Sequence, residues 1–173
     1  MTQGTEVGTK PLMLGVHHVA MATTDLDAMR HFYCEMFGMR PLAQGEWDNV
    51  PDYDAMVDLP NSSARFALLG SGNVALELFQ YITPPPGPAE QGRPVNKPGL
   101  THLGFAVEDL DAAYARLSRA GVRFHAPPAP SGGDAPIRAV YGRDPEGNVF
   151  ELLEFKGDTP FDYAPTWAQW RRR

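Results

Sequence analysis

Residues 16–22, bounded by Gly15 and Thr23-Thr24, are rich in strand formers, so they predict a strand. Thr24 then offers a helix cap, and Asp25 and Asp27 add negative charge at the first turn. Leu26, Met29, Phe32, Tyr33, Met36 and Phe37 recur at helical spacing, which predicts a buried stripe closed by Gly38. Residues 39–48 predict a strand and 50–60 a loop. Residues 64–69 and 74–81 predict a hairpin turning at Gly70-Ser71-Gly72-Asn73. The pattern then repeats: strand 101–107, helix 109–120 closed by Gly121, strand 122–125, a Pro/Gly loop 126–136, strand 137–142, a turn at 144–148 and strand 149–155. Each half reads βαβββ. The expected organisation is a flexible lead 1–13, a module 14–82, a proline-rich linker or lid 83–99, a second module 100–156, and a tail 157–173 carrying Trp167 and Trp170.

The repetition extends to individual residues. His18-Val-Ala-Met-Ala-Thr-Thr-Asp25-Leu26-Asp27 lies over His102-Leu-Gly-Phe-Ala-Val-Glu-Asp109-Leu110-Asp111 without a gap. Gly72-Asn73-Val74-Ala75-Leu76-Glu77 lies over Gly147-Asn148-Val149-Phe150-Glu151 with one slipped residue. His18, Glu77, His102 and Glu151 therefore occupy matching places. Strand alternation sets both carboxylates among apolar neighbours, where an unpartnered charge is disfavoured. A divalent ion held by two imidazoles and two carboxylates would resolve that cost, and Zn, Ni, Co, Mn or Fe suits such a set. His17 aligns with Thr101 and is assigned an outer or surface role. His31 and His125 have no counterpart in the other copy.

Charge and cysteine content narrow the partners. The net charge is −6, and the 15 basic residues form no stripe beyond Arg171-Arg172-Arg173, which argues against nucleic acid. Cys34 is the single cysteine, so neither an intrachain disulfide nor a cysteine metal cage is expected. No apolar run reaches membrane-spanning length, so the chain reads as soluble, cytoplasmic and membrane-free.

The text around His18, Asp25-Leu26-Asp27, Phe32-Tyr33 and Phe37-Gly38, repeated around His102, Asp109-Leu110-Asp111, Asp144-Pro145-Glu146-Gly147-Asn148 and Glu151, resembles the vicinal oxygen chelate superfamily. That superfamily contains glyoxalase I, methylmalonyl-CoA epimerase, bleomycin-resistance proteins and extradiol dioxygenases. The resemblance implies an α+β fold of tandem βαβββ modules whose curled mixed sheets form a cup. It implies metal ligands at His18, Glu77, His102 and Glu151, and a small-molecule substrate with neighbouring oxygens. It implies lyase, isomerase or epimerase chemistry through an enolate, with Glu151 or Glu77 moving the proton. Two alternatives stay open. An Fe or Mn ring-cleaving dioxygenase would use His18, His102 and Glu151 and leave Glu77 without a role. A binding or resistance protein would act without turnover, although bleomycin-type members lack the metal set. Trp47, Gln80, Tyr141 and Arg143 are candidate substrate contacts, and Arg143 has a surface ion pair with Asp144 or Glu146 as its plainer role. A homodimer is expected, with the site built from one chain or two.

Overall fold

The structure is a computed structural model and describes residues 15–130 and 136–156. The expected lead, the tail with its two tryptophans, and part of the loop 126–136 fall outside these residues. Two mixed sheets carry the fold. Strands β1 (His18–Ala22), β2 (Arg40–Asp48), β3 (Ser63–Ser71) and β4 (Val74–Thr83) form the first, in the order β1-β4-β3-β2. Strands β5 (His102–Ala106), β6 (Arg123–Phe124), β8 (Ile137–Arg143) and β9 (Val149–Phe155) form the second, in the order β5-β9-β8-β6, with the short β7 (Ala129–Pro130) beside β8. In each sheet the opening strand pairs parallel with the closing one, β1 with β4 and β5 with β9. The fold is the expected α+β pair of curled mixed sheets.

Helix α1 (Leu26–Phe37) runs close to its expected bounds because its apolar stripe has two cores to fill. Leu26, Met29 and Tyr33 pack with Leu69, Leu76 and Leu78 of the first sheet. Phe32, Met36 and Phe37 reach the second core, around Leu117, Val140, Phe150 and Leu152. Phe37 alone meets Phe105 at 4.5 Å and Phe150 at 5.0 Å between ring centres. Gly38 closes the helix at φ 66°, where a side chain would be strained. Helix α3 (Leu110–Arg119) repeats the arrangement with Leu110 and Leu117 buried.

Two local expectations need correction. The cap of α1 is Asp25, whose Oδ1 accepts from the Ala28 amide at 3.0 Å, not Thr24. Asp109 caps α3 in the same way. Thr24 is occupied instead by the second module: one oxygen of Glu146 accepts from the Thr24 amide and hydroxyl and the Thr23 hydroxyl, each at 2.7 Å, and from the Asp25 amide at 3.1 Å. Segment 50–60 is also more than a loop. It contains helix α2 (Pro51–Val57), which begins at a proline already set to helical φ. Asp54 ties the end of this segment back to α2, accepting from the Asn61 and Ser62 amides and the Ser62 hydroxyl.

The turn 144–148 ties the second sheet to α1 and to the segment before it. Asp144 is 2% exposed. Its carboxylate accepts from the Glu146 and Asn148 amides, the Asn148 side chain, and the Tyr33 hydroxyl of α1 at 2.9 Å. Burial pushes its pKa above the ordinary range, while the Asn148 and Tyr33 bonds pull it down. Among the described residues, no helix is long and apolar enough to cross a membrane.

Candidate functional site

The repeat becomes a geometric fact in the strand register. Ala20 lies opposite Glu77 across β1 and β4, and Gly104 lies opposite Glu151 across β5 and β9. His18 and His102 each sit two residues earlier on the same face as that carboxylate. Each imidazole therefore meets its carboxylate diagonally. His18 Nε2 is 3.2 Å from Glu77 Oε2, and His102 Nε2 is 3.2 Å from Glu151 Oε2. Two donors about 2.1 Å from one ion, at angles between square and tetrahedral, stand about 3.0–3.4 Å apart. Each pair thus has the spacing of two ligands on one cation.

The far nitrogen of each ring is also held. His17 Nδ1 contacts His18 Nδ1 at 2.8 Å, and Thr101 Oγ1 contacts His102 Nδ1 at 2.9 Å. His17 and Thr101 occupy equivalent repeat positions, so each half orients its imidazole from the preceding residue. Such an outer partner fixes ring orientation and leaves Nε2 to face the ligand. His17, expected in an outer or surface role, is exposed and makes this contact. The part of Thr101 was not foreseen, although its alignment with His17 was the available signal.

The four residues form two pairs. Among the described residues, no three His, Cys, Asp or Glu side chains stand together closely enough to hold one ion. The strands bearing the histidines, β1 and β5, are both sheet edges.

The candidate substrate contacts divide. Trp47 stands on the face of Glu77, through Ala64 of β3, with its ring 5.8 Å from Phe79 and 5.9 Å from Tyr81. Its indole N–H donates to Ser62 Oγ at 2.9 Å, so a hydrogen-bonded chain runs from the buried Trp47 through Ser62 to the partly exposed Asp54 of α2. Tyr141 lies opposite Glu151 in the β8–β9 ladder, with its ring edge-on to His102 at 5.2 Å. Burial raises its phenol pKa, aided by the neighbouring Glu151 carboxylate. Gln80 faces away from Glu77, being an odd number of residues along the strand. It binds the start of α1, donating to Thr24 O at 2.9 Å and accepting from the Leu26 amide at 3.3 Å. Arg143 donates to the carbonyls of Gly147 at 2.6 Å and Arg93 at 3.1 Å, pairing with neither Asp144 nor Glu146. Its charge is committed to joining the turn to the linker. His125 stacks on Tyr141 at 6.3 Å and 11° between ring planes. Burial, then the Arg143 charge, lowers its pKa. His31 is exposed on α1.

Comparison with known proteins agrees with this architecture. The family described as the Glyoxalase/Bleomycin resistance protein/Dioxygenase superfamily matches residues 15–152. A 2-epi-5-epi-valiolone epimerase from Actinomyces sp. is 35% identical, over 88% of this chain and 85% of that protein. A lactoylglutathione lyase from Arabidopsis thaliana is 26% identical, over 83% of this chain and 44% of that protein. A solved glyoxalase family protein from Bacillus cereus superposes with a TM-score of 0.75 at 24% identity, over 86% of this chain and 98% of that one. The chain belongs to the glyoxalase/bleomycin resistance protein/dioxygenase superfamily.

Proposed function

We propose that this protein is a divalent-metal-dependent epimerase or lyase acting on a small substrate with a carbonyl and an adjacent hydroxyl. The observation that carries the reading is the pair of His–Glu contacts, 3.2 Å in both modules at identical register. His18, Glu77, His102 and Glu151 would hold the ion. When bound, it supplies Lewis-acid polarisation of the substrate carbonyl.

One of the two carboxylates, Glu77 or Glu151, removes the proton from the carbon beside that carbonyl. The electron pair moves onto the carbonyl oxygen, and return of the proton to the opposite face of the carbon inverts the centre. The epimerase relative favours this outcome and a polyhydroxylated ketone as substrate. Trp47 and Phe79 share the face of Glu77 and offer the substrate an apolar wall beside it. The dioxygenase alternative leaves Glu77 idle. The matching of the Glu77 pair to the Glu151 pair favours a four-ligand set.

Because one chain presents its ligands as two separate pairs, each with its histidine on an edge strand, the reading includes a homodimer. The His18–Glu77 pair of one protomer would join the His102–Glu151 pair of its partner.

The test is incubation with α-hydroxy ketones, cyclic polyols included, in D₂O with added Zn²⁺, Ni²⁺, Co²⁺ or Mn²⁺. Deuterium entering the carbon beside the carbonyl supports the reading. No exchange on any of them, with oxygen uptake on catechols instead, refutes it in favour of the dioxygenase.

A further inference from the structure

Helix α1 packs on the face of the first sheet that carries Leu69, Leu76 and Leu78, so alternation puts Glu77 on the opposite face. The strand register sets out that face in rows. Glu77 shares a row with Ala20, Leu68 and Ala43. The next row is Ala22, Phe79, Phe66 and Gly45, and beyond it stand Tyr81, Ala64 and Trp47. Phe66, Phe79 and Tyr81 are half-buried, with neighbouring ring centres 6.1 Å apart and planes tilted by 39° and 30°. A Cβ on Gly45 would lie 2.6 Å from Phe66 Cε1, so the Phe66 ring lies down over the bare backbone of β2. Trp47 stands edge-on to Phe79 and Tyr81 at the far end. With only small side chains on either flank of the middle row, its rings form a floor.

The second module has no such floor. Its row beyond Glu151 is Ala106, Leu153, Ala139 and Ala129. The histidine and glutamate occur in both halves, whereas the rings belong to one, so the βαβββ fold does not itself require them. We infer that Phe66 and Phe79 are specificity-determining residues that bind the body of a cyclic substrate, with Gly45 setting the pose of Phe66. Rows on one face stand about 7 Å apart. A six-membered ring that reacts beside Glu77 therefore rests its flat side on Phe79 and Phe66. Flat rings pack well on aromatic rings and have few torsions to freeze, whereas an open chain must be ordered to lie flat. The inference rests on the α-hydroxy ketone reading above and adds the ring to it.

The test compares two ketols of equal carbon count, 2-hydroxycyclohexanone and the open-chain 4-hydroxy-3-hexanone. Each is titrated into the full-length protein, with and without Zn²⁺, and followed by protein chemical shifts. The cyclic ketol is expected to bind about tenfold more tightly. Phe66→Leu keeps an apolar side chain and removes the ring. It should weaken the cyclic ketol about 3–10-fold and change the open-chain one less than about twofold. Gly45→Ala, which pushes the Phe66 ring off its seat, should act in the same direction. If neither ketol binds the wild type, the ketol reading fails and this inference fails with it. If the wild type binds both ketols equally, or Phe66→Leu weakens both alike, this inference alone is overturned.

Discussion

Replacing Tyr33 by Phe isolates the clasp between the modules. The ring is 1% exposed and would stay packed, so only the hydroxyl and its 2.9 Å bond to Asp144 are lost. A hydrogen bond to a charged group contributes about 1.5–3 kcal/mol. For a chain of this size that lowers the melting temperature by about 3–12 °C. The pH dependence has a definite sign. Asp144 titrates above the ordinary carboxylate range in the folded state, first because of burial, and the Tyr33 bond pulls it down. Losing that bond raises it further. A raised folded pKa gives stability that is present below the unfolded value and is lost as pH rises through the folded value. The Phe variant's deficit is therefore full above both folded values, and it shrinks as pH falls through them, below which Asp144 is protonated in both folded proteins. Thermal melts of both proteins by circular dichroism at several pH values measure this. A difference within roughly 1 °C at neutral pH, or one that grows on acidification, would refute the reasoning.

Other consequences follow from the same contacts. Glu146→Ala, which removes the acceptor shared by Thr23, Thr24 and Asp25, should cost about 2–3 kcal/mol in denaturant unfolding, and Glu146→Gln less, because one acceptor oxygen remains. Gly142→Ala should destabilise by about 1–3 kcal/mol, because its Cβ would lie 2.4 Å from Phe150 Cζ inside the second core; an unchanged unfolding midpoint would contradict that packing. Asp54 is held below the usual carboxylate range, chiefly by the Ser62 hydroxyl. Its contribution is present above its unfolded pKa and lost as pH falls through the folded value, so the Ser62 amide should lose hydrogen-exchange protection on acidification ahead of the β3–β4 ladder. If the two lose protection together, Asp54 is not the anchor of α2.

Much of the fold was legible because the repeat wrote it twice. The periods of α1 and of both closing strands survive into the structure, since each buries one face and leaves the other open. The pairing of His18 with Glu77 and of His102 with Glu151 was also readable, because equal register follows from equal position in a repeat. What escaped depends on contacts between distant segments. Thr24 carries a good capping side chain, but Glu146, 122 residues away, engages it, and the adjacent Asp25 caps instead. Gln80 and Arg143 look like polar groups near a site. One turns to the far face of its strand and the other is used by backbone carbonyls. The segment holding α2 reads as a loop because its anchor, the chain from Trp47 through Ser62 to Asp54, is assembled only in three dimensions.

The central claim is that both His–Glu pairs serve one ion. The most direct measurement is the metal content of protein purified without added metal, for the wild type, His18→Ala and His102→Ala. The account predicts about one divalent ion per chain in the wild type, largely lost in both variants, because a ligand set split between two modules fails when either imidazole goes. Full metal content in either variant, or no metal in the wild type even after reconstitution with Zn²⁺, Ni²⁺, Co²⁺ or Mn²⁺, would contradict it.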